Sequence, residues 1–180
     1  MRVISGKYKG RKLLGYDIDG TRPTMDRVKE SLFAIIQNEV KDSLCLDLFA
    51  GTGALGIEAL SNGAKTCYFI DNNKEIIKIL DQNLSNLQIK EEYHVVKNDY
   101  LNAFNFMKEH ELKFDLIFLD PPYPNHLINK CLELILRYEL LNPNGQVICE
   151  FETEVLKTSG YEILKDKKYG SKRIVVLKRG

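Results

Sequence analysis

Short apolar runs alternate with segments of helical period through the middle of the chain, and this alternation limits the folds open to it. Residues 44–49 (Leu44-Cys45-Leu46-Asp47-Leu48-Phe49), 66–70, 93–96, 114–119 and 146–151 read as strands buried on both faces. Between them, Leu55, Ile57 and Leu60, then Ile76, Ile77, Leu80, Leu84 and Leu87, recur at helical spacing, and residues 100–107 and 126–138 are expected as further helices. Strands alternating with helices of this length pair in parallel, giving one sheet covered on both faces. Ahead of the first strand, Thr24 follows Pro23 as an expected N-cap. Met25, Val28, Leu32, Ile35 and Ile36 then carry a helix to about Val40. At the other end, strands near residues 161–164 and 173–177 are linked by residues 165–172, too short for a crossover helix, so a C-terminal antiparallel hairpin is expected. The expected fold is α/β and Rossmann-like. It has a seven-stranded, mostly parallel sheet, helices on both faces and a small N-terminal β extension. Residues 1–23, basic and glycine-rich, form that extension as a hairpin, and residues 24–180 form the main domain. With 180 residues, 44% of them hydrophobic, the chain suits one core.

In such sheets ligands bind at the carboxyl ends of the strands. Four acids close successive strands at that rim: Asp47, Asp71, Asp99 and Asp120. After Asp47 comes Leu48-Phe49-Ala50-Gly51-Thr52-Gly53-Ala54-Leu55-Gly56, a GxGxxG turn between strand and helix, and Asp71 follows 20 residues after Gly51. That spacing also fits a dinucleotide fingerprint, and a ligand-free turn is the plainest alternative. Charge separates the ligands. A carboxylate at Asp47 repels a diphosphate at short range, but it suits a ligand with an ammonium and a sulfonium, as in S-adenosylmethionine (SAM). Asp71 suits bidentate contact with ribose hydroxyls. Asp99 is expected to accept from the adenine amino group, although a helix cap before Tyr100 is an equal reading. Phe49, Ala50, Gly51, Gly53, Asn72 and Tyr100 complete the candidate cofactor pocket beside Asp47, Asp71, Asp99 and Asp120.

The strongest strand ends on Asp120-Pro121-Pro122-Tyr123. Two prolines stop the ladder and hold a rigid loop, which can aim Asp120, the Pro121 carbonyl and the Tyr123 ring at one point. Exocyclic amines of bases are weak nucleophiles because the lone pair is delocalised. A carboxylate and a carbonyl accepting both N–H groups would position such an amine and favour the charge that develops on it. Tyr123 would stack on a base that has left its helix. Asp120, Pro121, Pro122 and Tyr123 are therefore the candidate catalytic residues; the alternative is a structural Pro-Pro turn.

Asp-Pro-Pro-Tyr after the fourth strand resembles the amino-methyltransferases acting on DNA, RNA and glutamine amide nitrogen. The rest of the chain resembles the RsmD family, 16S rRNA guanine-N2 methyltransferases. Three further segments carry that resemblance: Arg2-Val3-Ile4-Ser5-Gly6 with Lys9-Gly10-Arg11-Lys12-Leu13, then Thr21-Arg22-Pro23-Thr24-Met25-Asp26-Arg27-Val28-Lys29-Glu30, and residues 46–64. The resemblance implies a seven-stranded SAM-dependent methyltransferase fold. It also implies transfer of a methyl group to N2 of one flipped guanine of 16S rRNA, within a small ribosomal subunit or assembly intermediate. By position it places Thr24 at the cofactor pocket and Arg22 near the cofactor or target base. Met25 and Lys29 stand where threonine and arginine are expected, and the segment Tyr169-Gly170-Ser171-Lys172-Arg173 matches only loosely.

The net charge of +1 rules out a uniformly basic nucleic-acid binder, so any polyanion surface is local. Arg2, Lys7, Lys9, Arg11 and Lys12 concentrate cations without an acid, and with Arg22 and Arg27 they are the candidate RNA contacts. A solvated surface hairpin is the plainer reading. Lys165, Lys167, Lys168, Lys172 and Arg173 form a second cluster, equally well read as protection of an edge strand. The four cysteines lack CxxC spacing and His94, His110 and His126 lack ligand spacing, so no metal is expected. No signal peptide or membrane-length apolar run is visible, and a cytoplasmic monomer is expected. Competing classes are a DNA adenine-N6 methyltransferase, a dinucleotide-dependent oxidoreductase and a non-enzymatic RNA-binding module. The last two leave the Asp-Pro-Pro-Tyr loop or the row of acids unexplained.

Overall fold

The computed structural model describes residues 1–15, 22–122 and 126–180, with the side chains of residues 22–24 outside that description. In chain order the elements are α1 (Arg22–Ile35), α2 (Gln37–Val40), β1 (Leu44–Asp47), α3 (Ala54–Ser61), β2 (Thr66–Asp71), α4 (Lys74–Asn86) and β3 (Glu92–Lys97). They continue with α5 (Tyr100–Glu109), β4 (Phe114–Leu119), α6 (Ile128–Arg137), β5 (Leu141–Phe151), β6 (Tyr161–Tyr169) and β7 (Lys172–Arg179). The strands form one seven-stranded sheet in the order β3-β2-β1-β4-β5-β7-β6. β3, β2, β1, β4 and β5 are parallel, and β7 runs antiparallel between β5 and β6. The order reverses between β1 and β4, which opens a crevice at their carboxyl ends.

Alternation along the strands divides the core in two. Cys45, Cys67, Phe69, Leu116, Phe118, Ile148 and Ile174 face α1, α3 and α4. Leu46, Ile70, Ile117, Leu119, Val147, Cys149 and Val175 face α5 and α6. The helices answer with matched stripes, such as Leu80 and Leu84 on α4 and Ile128, Cys131, Leu132 and Ile135 on α6. Each fully buried Phe or Leu contributes about 2 kcal/mol from apolar area alone. All four cysteines are free and buried, so they serve as small core residues.

Several boundaries differ from the sequence expectation. α1 begins at Arg22, two residues before Thr24, so Thr24 lies inside the first turn and Pro23 near its start, where a missing N–H costs nothing. The helix expected to reach Val40 is interrupted at Ile36 (φ −99°, ψ 12°), and α2 continues as a single turn. β5 starts at Leu141, not at residue 146. Leu141 pairs with Phe114 across an irregularity in register, and Asn144 has φ 65°, so the Asn-Pro-Asn-Gly stretch is a kink within the strand. β6 and β7 are longer than their apolar residues indicate, leaving only Gly170-Ser171 between them. Residues 165–168 are exposed and charged, so their strand shows in backbone pairing and not in side-chain alternation.

The N-terminal segment folds back on itself through an antiparallel bridge, Arg2 with Lys12. Around that bridge the Val3 N–H donates to the Arg11 carbonyl at 2.9 Å and the Leu13 N–H to the Met1 carbonyl at 3.0 Å, and other amides of the segment go to α3. The Ile4 and Ser5 N–H groups donate to Glu58 on α3, at 3.1 and 2.9 Å, and the Lys7 N–H donates to the Ser61 carbonyl. The segment is fastened to the main domain by backbone hydrogen bonds to α3.

Candidate active site

The candidate cofactor half of the rim is built from β1, β2 and the loops after them. Asp47 ends β1 almost fully buried, and its carboxylate accepts the Gly56 N–H at 2.9 Å. Burial raises its pKa to about 7, the Gly56 hydrogen bond opposes the rise, and the Asp71 charge adds to it. Gly56 is required for packing: a Cβ there would lie 2.3 Å from the Phe69 ring, so only glycine lets α3 sit flush on β2. Asp71, at the end of β2, accepts from Gly51 N–H (2.9 Å) and from Asn73 N–H (3.0 Å). It thereby ties the glycine loop to the following turn, where Asn72 is exposed and Asn73 caps α4. Gly51 has φ 56°, and a Cβ on it would meet nothing within 4 Å, so this side of the loop faces open space. Ala50 anchors the same loop through its N–H to the Ile70 carbonyl, and Gly53 serves as the N-cap of α3. Among the described residues the buried Thr52 hydroxyl has no hydrogen-bond partner.

Asp99 is the N-cap of α5. It accepts from the Asn102 N–H and side-chain amide, so the cap reading holds in the geometry. The next residue, Tyr100, lies near Phe49 of the glycine loop, with ring centroids 6.0 Å apart. These two half-buried rings flank the same end of the crevice as Asp71. The set fits SAM by its donor chemistry. Asp47 offers a carboxylate to a cationic end, Asp71 offers acceptors for hydroxyls, and Phe49 with Tyr100 offers apolar faces for a purine. Among the described residues no group of His, Cys, Asp or Glu side chains could hold a metal ion.

The candidate substrate half is different. Asp120 follows β4, where Leu119 pairs with Cys149 and so brings Asp120 beside Glu150 of β5. Glu150 pairs with Lys172 of β7 at 2.5 Å. Burial pushes the Asp120 carboxyl well above the usual range, the Glu150 charge adds to this, Lys172 opposes it, and Asp47 contributes a further rise. Among the described residues no hydrogen bond is made by the Asp120 carboxylate. Pro121 is buried and Pro122 exposed, and Tyr123 lies outside the described residues. A cavity of about 70 Å³ opens beside Asp120, lined also by Met25, Lys29, Leu55, Glu150 and Lys172.

Behind this cavity sits a buried ion pair that the sequence reading missed. Lys29 and Glu58, 3% and 0% exposed, lie 3.0 Å apart, and the Lys29 ammonium also donates to the Arg2 carbonyl. The sole sign in the sequence is an acid inside the apolar helix 54–61. Glu150 was missed too, although it stands alone as a charge in Val147-Ile148-Cys149-Glu150-Phe151. Of the candidate RNA contacts, Arg2, Lys9, Lys12 and Arg27 are exposed. Lys7 turns to Glu91 at 2.9 Å, and Arg11 donates to the Asn86 carbonyl. The side chains of Arg22 and Thr24 lie outside the described residues.

A Rossmann-like sheet in this order, a glycine loop after β1 and acids at the ends of β1, β2 and β4 define the class as a SAM-dependent methyltransferase fold. A solved structure of a putative methyltransferase from Escherichia coli matches with a TM-score of 0.84 at 27% identity, over 99% of this chain and 97% of that one. The family model described as conserved hypothetical protein 95 matches residues 1–178, and the chain belongs to that family, the RsmD family. The putative rRNA methyltransferase YlbH of Bacillus subtilis is 42% identical over 155 residues, 86% of this chain and 84% of that protein. Ribosomal RNA small subunit methyltransferase D of Haemophilus influenzae is 36% identical over 174 residues, 94% and 89% of the two chains.

Proposed function

We propose that the protein transfers the methyl group of SAM to the exocyclic N2 amine of a guanine in 16S rRNA, with the base flipped into the crevice between β1 and β4. The observation that carries this reading is Asp120. It is an acid on a strand end at the point of sheet reversal, with no hydrogen bond among the described residues and with its proton affinity raised by its surroundings. Such a group suits an incoming N–H donor and the surplus proton that the amine sheds after methylation. Bound SAM supplies an electrophilic methyl carbon. Asp47 would hold its ammonium, Asp71 its ribose, and Phe49, Asp99 and Tyr100 its adenine, and by family resemblance Thr24 would belong to the same pocket. Pro121, Pro122 and Tyr123 would fix and stack the target base. Two relatives carry rRNA methyltransferase in their names, which supports RNA as the substrate class.

The substrate in this reading is a small ribosomal subunit or its assembly intermediate, met in the cytoplasm by a single chain. Residues 1–23 act as its RNA-contacting extension, through Arg2, Lys9 and Lys12 with Arg22 and Arg27. Among the described residues no helix is long and apolar enough to cross a membrane. The decisive test is incubation with labelled SAM and small subunits from a strain lacking the gene, followed by mapping of the labelled base. Label at one guanine N2 is expected. Label on DNA alone, or no label, would overturn the reading.

A further inference from the structure

Asp120 lies among more negative charge than it needs to bind an amine. Glu150 stands beside it from β5 and Asp47 approaches from β1. Three carboxylates at one end of the sheet favour taking up a proton, which would cost Asp120 its capacity to accept one from the substrate. Among the described residues the surrounding elements supply few cations. Lys29 of α1 is committed to Glu58 and to the Arg2 carbonyl. α3 contributes only Ala54 and Leu55 to the cavity, and Met1 completes its wall from the N-terminal segment. Lys172, the first residue of β7, is the described lysine whose ammonium pairs with an acid of this cluster. Its ammonium reaches back across the sheet to Glu150 at 2.5 Å and lies close enough to Asp120 for each charge to act on the other. Glu152, further along the same rim, also faces Lys172 and accepts from the Ser171 hydroxyl.

We propose that Lys172 and Glu150 form a positioning pair for the reaction: Glu150 holds the Lys172 ammonium at the mouth of the cavity, and that ammonium opposes the uptake of a proton by Asp120 when the target amine arrives. Two observations carry it independently of any titration. Glu150 is the one charge in β5, nearly buried within the apolar run Val147–Phe151, where a carboxylate is costly without a partner. Lys172 occupies the strand position that places its side chain on the α1 face of the sheet, the face that also carries the cavity. The pair is thus a device on β5 and β7 that acts through Asp120 on β4. Lys172 and Glu150 do not themselves need to touch the base.

The inference rests on Asp120 being the acceptor for the target amine, so its test includes a readout that does not depend on methyl transfer. Aspartate carboxyl carbons are labelled with 13C, Asp120 is assigned by its loss in Asp120→Asn, and its protonation is followed by NMR across pH. In Lys172→Met the midpoint is expected to rise by about one pH unit, the low end for loss of a neighbouring opposite charge. In Glu150→Gln it is expected to fall, and in Lys172→Arg to stay near the native value. The acid limb of the single-turnover methylation rate should move in the same directions. Midpoints that stay in place in both variants, or move together in one direction, would overturn the proposal. Should the native protein methylate no RNA while the midpoints still separate, the functional reading fails and the charge pairing stands. If Lys172→Met does not fold, the near-isosteric Glu150→Gln decides on its own.

Discussion

The two halves of the active-site rim treat their acids differently. In the β1–β2–β3 half, each acid is already held by the backbone: Asp47 by Gly56, Asp71 by Gly51 and Asn73, Asp99 by Asn102. These carboxylates are fixed before any ligand arrives, and fixing them also fixes the glycine loop. In the β4–β5–β7 half, Asp120 has a carboxylate and a lysine for neighbours and no backbone donor among the described residues. One half is preorganised by hydrogen bonds and the other is tuned by charge. A cofactor of constant shape suits the first, and a substrate amine that must gain and lose charge suits the second.

Asp120→Ala should break the comparison most deeply. Methyl transfer is expected to fall by roughly a hundred- to a thousand-fold, the scale for losing one preorganised group at a developing charge. SAM affinity measured by calorimetry should stay within a few-fold. A parallel loss of both would mean that the two halves are not separate.

Asp47→Asn probes the cofactor half through pH. The folded carboxyl titrates at about 7, above the ~3.9 of an unfolded aspartate. Between about pH 4 and 7 the folded protein therefore carries a proton that the unfolded chain lacks. Stability contributed by this group is present below pH 4 and is lost as pH rises through 7. Asparagine can still accept the Gly56 N–H but has no charge to desolvate. The variant should match the native protein near pH 4 and exceed it at pH 8 by up to about 4 kcal/mol in denaturant melts. SAM binding should show the reverse: the native protein binds more tightly as pH rises through 7, while the variant stays weak and flat. A stability difference that is constant from pH 4 to 8 would refute the assignment.

Asp71→Ala should have a smaller effect, since it removes hydroxyl acceptors and leaves the Gly51 N–H without its partner. SAM affinity is expected to drop about tenfold, a loss near 1.4 kcal/mol. Unchanged affinity by calorimetry would show that Asp71 serves only the loop.

The contrast between the halves also explains what the sequence disclosed. Strand runs ending in Asp47, Asp71 and Asp120 are contiguous signals, because a buried parallel strand must be apolar and its end must carry the polar function. The longer β6 was not legible, since an edge strand of lysines satisfies its backbone without any side-chain period. Glu58 and Lys29 were hidden for another reason. They lie 29 residues apart in the chain and meet only when α1 packs on α3, so neither alone signals a buried pair. The Glu150–Lys172 pair likewise forms only when β7 inserts between β5 and β6, a choice of topology that periodicity cannot express.

The smallest expected effect concerns how RNA reaches the substrate half. The N-terminal cations divide into two sets: Lys7 and Arg11 bind the protein itself, whereas Arg2, Lys9 and Lys12 are exposed. Lys9→Gln and Lys12→Gln should each weaken RNA binding uniformly across sequences. Each should also lower the slope of log affinity against log salt by about 0.7, the value for one phosphate contact to a single strand. Lys7→Gln removes a cation of the same formal charge three residues from the Gly10 turn, but one that is already paired with Glu91. Its salt slope should stay at the native value while the hold of the segment on the β3 side loosens only slightly, because so exposed a pair is screened by water. Equal slopes for Lys7→Gln and Lys9→Gln would show that charge count alone, and not the fold of the segment, decides which lysines meet the phosphates.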